Sequence, residues 1–242
     1  MNGASRIVLV RHGQTDHNVE RRFQGATDIP LNARGVEQAR HAAPVIASRF
    51  SSEGEQVGVN VLRAASPEVA VVCSPLSRAL ETGRIIASEF AARGVLVGDG
   101  PAVDERLRER CYGVLEGRTM DEAEAAFPQV VAQWRATGEC EAGGIESSDE
   151  VGARMAAAAC EYAARMRDGS TLVVVSHGAA IARCVVTLLG LRPTHFDGLR
   201  GLDNCHWSEV VLAGGGGSGA TGEAAWRLAA HNIGAREDVL GG

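Results

Sequence analysis

The sequence predicts an α/β protein, a three-layer α/β/α arrangement with a mostly parallel central sheet. Three observations point there. Short runs at residues 7–10, 69–73 and 172–175 are apolar at successive positions, as strands covered on both faces must be. The second and third runs pass at once into helical spacing, the strand–turn–helix rhythm of βαβ units. The 242 residues, 45% hydrophobic and 22% charged, suffice for a large core without a disulfide or metal staple.

Each element follows in order. The first strand, 7–10, is β-branched and stops at Arg11-His12-Gly13. Residues 32–50 are Ala-rich with apolar spacing and form a helix capped by Asn32. Residues 51–66 pattern weakly and read as an inserted loop. The strand 69–73 runs into Ser74-Pro75, and a proline between strand and helix suits the opening of helix 77–93. Residues 121–137 and 149–166 form two further helices around a Gly-containing loop at 138–148. Strand 172–175 ends at Ser176-His177-Gly178, and helix 179–191 follows. A mixed alternating run at 207–212 is a late strand, and the glycine-rich stretch 214–219 is a flexible loop after it. No repeat or linker interrupts the chain, so 1–242 is predicted to be a single domain.

A net charge of −6 argues against nucleic acid or an anionic membrane as partner. All 24 basic residues are arginine, so any anion clamp is built from guanidinium forks, which suit phosphate bidentately. The six cysteines are scattered without a CxxC pair, and Cys73 and Cys184 fall in apolar runs as small core residues. No charged-then-apolar leader and no membrane-length apolar stretch is visible, so a reducing, cytoplasmic setting is expected.

The chemistry gathers at strand ends. In an open parallel sheet ligands bind beyond the carboxyl ends of the strands. His12 and His177 each follow a strand and precede a glycine, so adjacent strands would bring both into one crevice. The glycine permits a tight turn and close approach of an anion to backbone N–H groups. Arg78 falls in the first turn of the helix after the second strand, and with Arg11 forms a two-fork cradle for a dianion. Glu109 lies in a charged stretch, residues 104–113, which would ordinarily be a solvated surface. Phosphate ester chemistry nevertheless needs a carboxyl nearby to protonate the leaving group.

Leu9-Val10-Arg11-His12-Gly13-Gln14-Thr15 with Asn18 resembles the signature of the histidine phosphatase superfamily, the phosphoglycerate mutase-like family. Phe23-Gln24-Gly25, Ser74-Pro75 to Thr82, Leu107-Arg108-Glu109 to Glu116-Gly117, and Ser176-His177-Gly178 continue the match in register. Trp226-Arg227-Leu228 to Asn232 is similar to the family's final strand. The resemblance implies a phosphoglycerate mutase-like fold and a phosphohistidine intermediate on His12, with no metal and no cofactor. It further implies that Arg11, Arg78 and a protonated His177 hold the phosphoryl oxygens and that Glu109 is the general acid. Asn18, Thr15, Gln24 and Gly25 are implied to contact substrate. The partner is then a small phosphorylated metabolite, with glucosyl-3-phosphoglycerate placed ahead of α-ribazole phosphate or other sugar phosphates. A homodimer through the late strands is a further expectation.

Three alternatives stand beside this. A mutase would shelter the phosphohistidine from water, but the segment after Glu109 resembles phosphatases, with Ile145 interrupting the usual Gly-Gly-Glu-Ser. A metal-dependent hydrolase would use His12, His17 and His177 with Asp16 or Asp28, a spacing that matches no strong metal motif. A non-catalytic phosphate-binding protein would be expected to lack His12, Arg78 or Glu109. Trp134, Trp207 and Trp226 read as core or rim packing, Asn204 as a residue near the site, and His195, His206 and His231 carry no motif.

Overall fold

The computed structural model describes residues 3–51, 68–213 and 226–235. The glycine-rich loop at 214–219 and the inserted loop expected at 51–66, apart from Ser51, lie outside the described residues. Six strands, β1 (Arg6–Arg11), β2 (Val69–Cys73), β3 (Ala102–Val103), β4 (Thr171–Ser176), β5 (Trp207–Leu212) and β6 (Trp226–Ile233), form one sheet in the order β3-β2-β4-β1-β5-β6. The pairs β3/β2, β2/β4 and β4/β1 are parallel, whereas β1/β5 and β5/β6 are antiparallel.

Strand alternation builds the layers. Ile7 and Leu9 of β1 point to one face, where they meet Val151, Met155 and Ala159 of α6 (Ser148–Ala164) and Ile181 and Val185 of α7 (Gly178–Leu188). Val8 and Val10 point to the other, against Ala39, Ile46 and Phe50 of α2 (Ala33–Ser51) and Ile86 and Phe90 of α3 (Ser77–Ala92). All four β1 residues are fully buried. Each such side chain contributes on the order of 1.5–3 kcal/mol of transfer free energy. This explains the unbroken apolar runs: a strand between two helical layers has no polar face.

Most predicted elements lie where expected, and Asn32 caps α2 by accepting the Gly35 N–H at 2.9 Å. The helix expected over 121–137 is instead two, α4 (Met120–Ala126) and α5 (Pro128–Thr137). Phe127 takes φ −139 and ψ 59 because the ring of Pro128 disfavours helical backbone before it, while proline itself suits the first position of α5. The helix expected over 179–191 spans Gly178–Leu188. β3 was not expected: two exposed residues on a sheet edge leave no apolar run to read. A small third cluster forms around Leu115, Val131 and Ile145, so the residue that interrupts the Gly-Gly-Glu-Ser pattern is a buried packing residue. Trp207 and Trp226 are core residues. No helix among the described residues is long and apolar enough to cross a membrane.

Candidate active site

Parallel pairing of β1 with β4 sets Arg11 opposite Ser176, so the next residues, His12 and His177, leave the sheet side by side. Their ring centroids lie 5.1 Å apart at 63°. His12 is buried, and its Nδ1 lies 2.6 Å from the Gly13 carbonyl oxygen. A carbonyl can only accept, so Nδ1 carries the hydrogen and Nε2 keeps its lone pair. Burial, followed by the nearby Arg78 and Arg11 charges, holds His12 well below the usual histidine range. The ring is therefore neutral and nucleophilic at neutral pH.

The role expected for Gly13 is corrected. A Cβ there would lie 2.3 Å from the Gly35 carbonyl oxygen, and the Gly13 N–H donates to Thr82 Oγ1 at 3.1 Å. This glycine lets the His12 turn press onto the α2 backbone; its amide is already taken. Two opening amides of α7, those of Ala179 and Ala180, are likewise occupied, by Glu109. Its Oε1 accepts from Ala180 N at 2.9 Å and from Arg110 N at 2.8 Å, and its Oε2 accepts from Ala179 N at 3.3 Å. The helix N-terminus thus positions the carboxyl group beside the histidines.

Arg78 is fully buried, with NH1 donating to the Thr27 carbonyl at 2.8 Å and NH2 to the Gly25 carbonyl at 2.9 Å. Burial lowers it to about 10, with Glu109, Asp28 and Glu116 opposing, so it remains a cation. Arg11 is lowered by burial too and donates to the Leu202 carbonyl. His177 Nε2 lies 2.8 Å from Ser74 Oγ. Burial first, then Arg78, His12 and Arg11, hold His177 well below its usual range. Burial and these neighbouring charges favour the neutral form of His177, against the protonated form expected above. Arg11 Nε, Arg78 Nε and His177 Nδ1 are buried and have no hydrogen-bond partner among the described residues. Orphaned buried nitrogens of this kind are costly, and two of them belong to Arg11 and Arg78, which share the cavity wall with His12.

A histidine pair held neutral by burial has a consequence for stability. The unfolded chain binds these protons near pH 6.5 and the folded chain only at lower pH, so their stabilising contribution is full above about 6.5 and lost as pH falls. Urea melts at pH 7.5 and 5.5 are expected to differ by about 1 kcal/mol per histidine. A flat profile over that interval contradicts the assignment.

The cavity over His12 has a volume of about 440 Å³, and its walls include Arg11, Asn18, Gln24, Gly25, Arg78 and Glu109. Four expected contacts can now be placed. Asn18, Gln24 and Gly25 line the cavity, Gly25 also serving Arg78 through its carbonyl. Thr15 stands one layer back: it is fully buried, caps the short helix α1 (Asp16–Val19), and its Oγ1 lies 2.9 Å from Gln24 Oε1. It positions Asn18 and Gln24. Glu105 is exposed and paired with Arg108 at 3.2 Å. Asn204 lies near the site as expected, its Nδ2 donating to the His12 carbonyl at 3.0 Å and to Asn18 Oδ1 at 3.2 Å. Cys205 after it has φ 59, a conformation uncommon outside glycine, and this turn aims Asn204 inward. Among the described residues, no three His, Cys, Asp or Glu side chains are grouped as a metal site would need.

Two supports were given no role by the sequence, although Glu116 falls in a matched motif. Glu116 accepts from Tyr112 N at 2.9 Å, Ala26 N at 3.1 Å and Thr27 Oγ1 at 3.0 Å, which ties down the loop whose carbonyls hold Arg78. Arg154 pairs with Glu146 at 2.7 Å and donates to the carbonyls of Arg106, Arg108 and Glu109, fixing the backbone beneath the Glu109 carboxyl group.

The sequence profile of the histidine phosphatase superfamily (branch 1) matches residues 7–221, and the chain belongs to that family. It is an enzyme, a phosphatase of this superfamily with the phosphoglycerate mutase-like fold. A glucosyl-3-phosphoglycerate phosphatase from Mycolicibacterium vanbaalenii is 34% identical over 97% of this chain and 98% of its own length. A probable phosphoglycerate mutase from Serratia proteamaculans is 37% identical over 84% of this chain and 83% of its own. The solved structure of mycobacterial glucosyl-3-phosphoglycerate phosphatase with VO3 covers 95% of this chain and 99% of its own, with a TM-score of 0.70 and 31% identity.

Proposed function

We propose that the chain hydrolyses a small phosphomonoester by passing the phosphoryl group through His12 Nε2 to water, without a metal. The observation that carries this reading is a buried histidine whose tautomer leaves Nε2 free, in one cavity with Arg11, Arg78 and Glu109. Nε2 attacks phosphorus in line and the ester oxygen departs opposite. Charge spreads over the three remaining oxygens, where preorganised donors stabilise it most. Arg11 and Arg78 act as cations. His177 joins as a neutral donor once the Ser74 hydroxyl donates to its Nε2 and the ring hydrogen sits on Nδ1. Glu109 delivers a proton to the leaving oxygen, then takes one from the water that attacks phosphohistidine. With nucleophile, forks and acid all present, the chain has what turnover needs and not only what binding needs.

The substrate class is supported by the relative that carries the name glucosyl-3-phosphoglycerate phosphatase across 97% of this chain. We read the partner as that ester or another sugar phosphate; a homodimer and a cytoplasmic setting remain parts of the reading. The test is phosphate release with EDTA present and no bisphosphoglycerate, over glucosyl-3-phosphoglycerate, 3-phosphoglycerate, α-ribazole phosphate and simple sugar phosphates. Release from any of them supports a metal-free phosphatase and ranks the substrates. The second reading, phosphoryl return to the same acid, is favoured by the relatives named probable phosphoglycerate mutase. No release, together with interconversion of 3- and 2-phosphoglycerate once bisphosphoglycerate is supplied, selects it. Arg78→Lys is expected to lower kcat/KM about 10²-fold, since an ammonium cannot reach both the Gly25 and Thr27 carbonyls and still offer a planar fork. Near-normal kinetics in that variant contradict the cradle.

A further inference from the structure

Five arginines line the His12 cavity: Arg11, Arg22, Arg78, Arg183 and Arg200. Four have their terminal nitrogens engaged by the protein. Arg11 and Arg78 are held by backbone carbonyls, Arg22 by Glu122 and the Gly117 carbonyl, and Arg200 by Asp203. Arg183, on α7, is different. Its Nε donates to Ser148 Oγ at 3.3 Å, while its two terminal nitrogens meet no carboxylate or carbonyl among the described residues. Arg183 also lines a second, larger cavity of about 700 Å³, walled by Trp134, Ser148, Thr194 and Asp197 among others. It therefore stands where the two cavities meet, with a planar fork pointing into neither protein acid nor backbone.

We propose that Arg183 determines substrate specificity by binding a carboxylate on the leaving-group side of the phosphomonoester, with the rest of a hydroxylated substrate continuing into the larger cavity. The proposal rests on the phosphatase reading above. A guanidinium pairs with a carboxylate through two parallel N–H donors, and here those donors are already oriented from Nε by Ser148. The phosphate dianion is served by Arg11 and Arg78, and the Arg22 charge is neutralised by Glu20 and Glu122. A second negative group on the substrate finds its uncommitted partner at Arg183.

The test compares kcat/KM for 3-phosphoglycerate and glycerol 3-phosphate, which differ by a carboxylate against a hydroxymethyl group. The native enzyme is expected to favour the carboxylate. Arg183→Gln is expected to lower that preference ratio about 10- to 100-fold, mainly through KM, and Arg183→Lys to recover part of it. The ratio is the readout because general damage from the substitution falls on both esters alike. An unchanged ratio in Arg183→Gln, or a native enzyme indifferent to the carboxylate, overturns the proposal and leaves the phosphatase reading standing. A native enzyme that releases phosphate from neither ester nor from the wider panel removes the phosphatase reading, and this proposal falls with it.

Discussion

His12→Ala is expected to yield a folded protein with no measurable phosphate release, a loss on the order of 10⁴-fold or more. The proposed route has a single nucleophilic atom, Nε2 of this ring, and the cavity walls offer no substitute: His177 is turned with Nε2 toward Ser74. The fold should survive. Among the described residues the His12 side chain makes one hydrogen bond, to the carbonyl of its neighbour, and no ion pair, so truncation leaves a cavity worth about 1–3 kcal/mol. The bonds from His12 N to the Ser176 carbonyl and from the Asn204 side-chain amide to the His12 carbonyl are untouched. Circular dichroism and a thermal melt check the fold, while acid-labile, base-stable radiolabel from a phosphorylated substrate checks for the intermediate. Residual turnover near the native rate would remove phosphohistidine from the mechanism.

Glu109→Gln has the second largest expected effect, and its signature is selectivity. Glutamine keeps the size of the side chain and an acceptor for the Ala180 and Arg110 amides, but it has no proton to give. Alkyl phosphates, which leave as poor anions unless protonated, should lose about 10²- to 10⁴-fold in kcat. p-Nitrophenyl phosphate, whose leaving group departs unaided, should lose far less. Equal losses for both would mean that Glu109 is not the acid. Glu105, the carboxylate nearest to Glu109 in the sequence, is already committed to Arg108 at the surface.

The parts of this site that were legible in the sequence are those where local pattern and chemistry coincide. His12, His177 and Arg78 each follow a β-branched run that could only be a buried strand, so their place at one sheet edge follows from topology. Glu109 was legible only through the family motif, because nothing in a charged stretch says that its carboxyl will meet the first amides of α7. Gly13 was seen for the wrong reason: whether a missing side chain admits an anion or a neighbouring backbone depends on what packs there, and α2 does. Thr15 was assigned to the substrate because it sits among residues that touch the cavity, yet an N-cap spends its hydroxyl on the helix it caps. Glu116 and Arg154 act across the fold on backbone groups, a relation that leaves no periodicity to find. The break at Phe127-Pro128 was there to be read, and proline decides it.

The position of β1 in the sheet bears on how the molecule comes into being. The first strand made, Arg6–Arg11, is hydrogen-bonded along one edge by β4 and along the other by β5. Both partners belong to the last third of the chain, so β1 leaves the ribosome long before either neighbour exists. Closing such distant pairings is entropically slow, and an apolar strand that waits for both edges is exposed meanwhile to pairing with other chains. Fragments that stop before Asn204 lack both β5 and the Asn204 clasp, so the hydrogen bonds that these make to the β1–His12 segment are missing. His12, the proposed nucleophile, is among the first residues synthesised and among the last to be set in place.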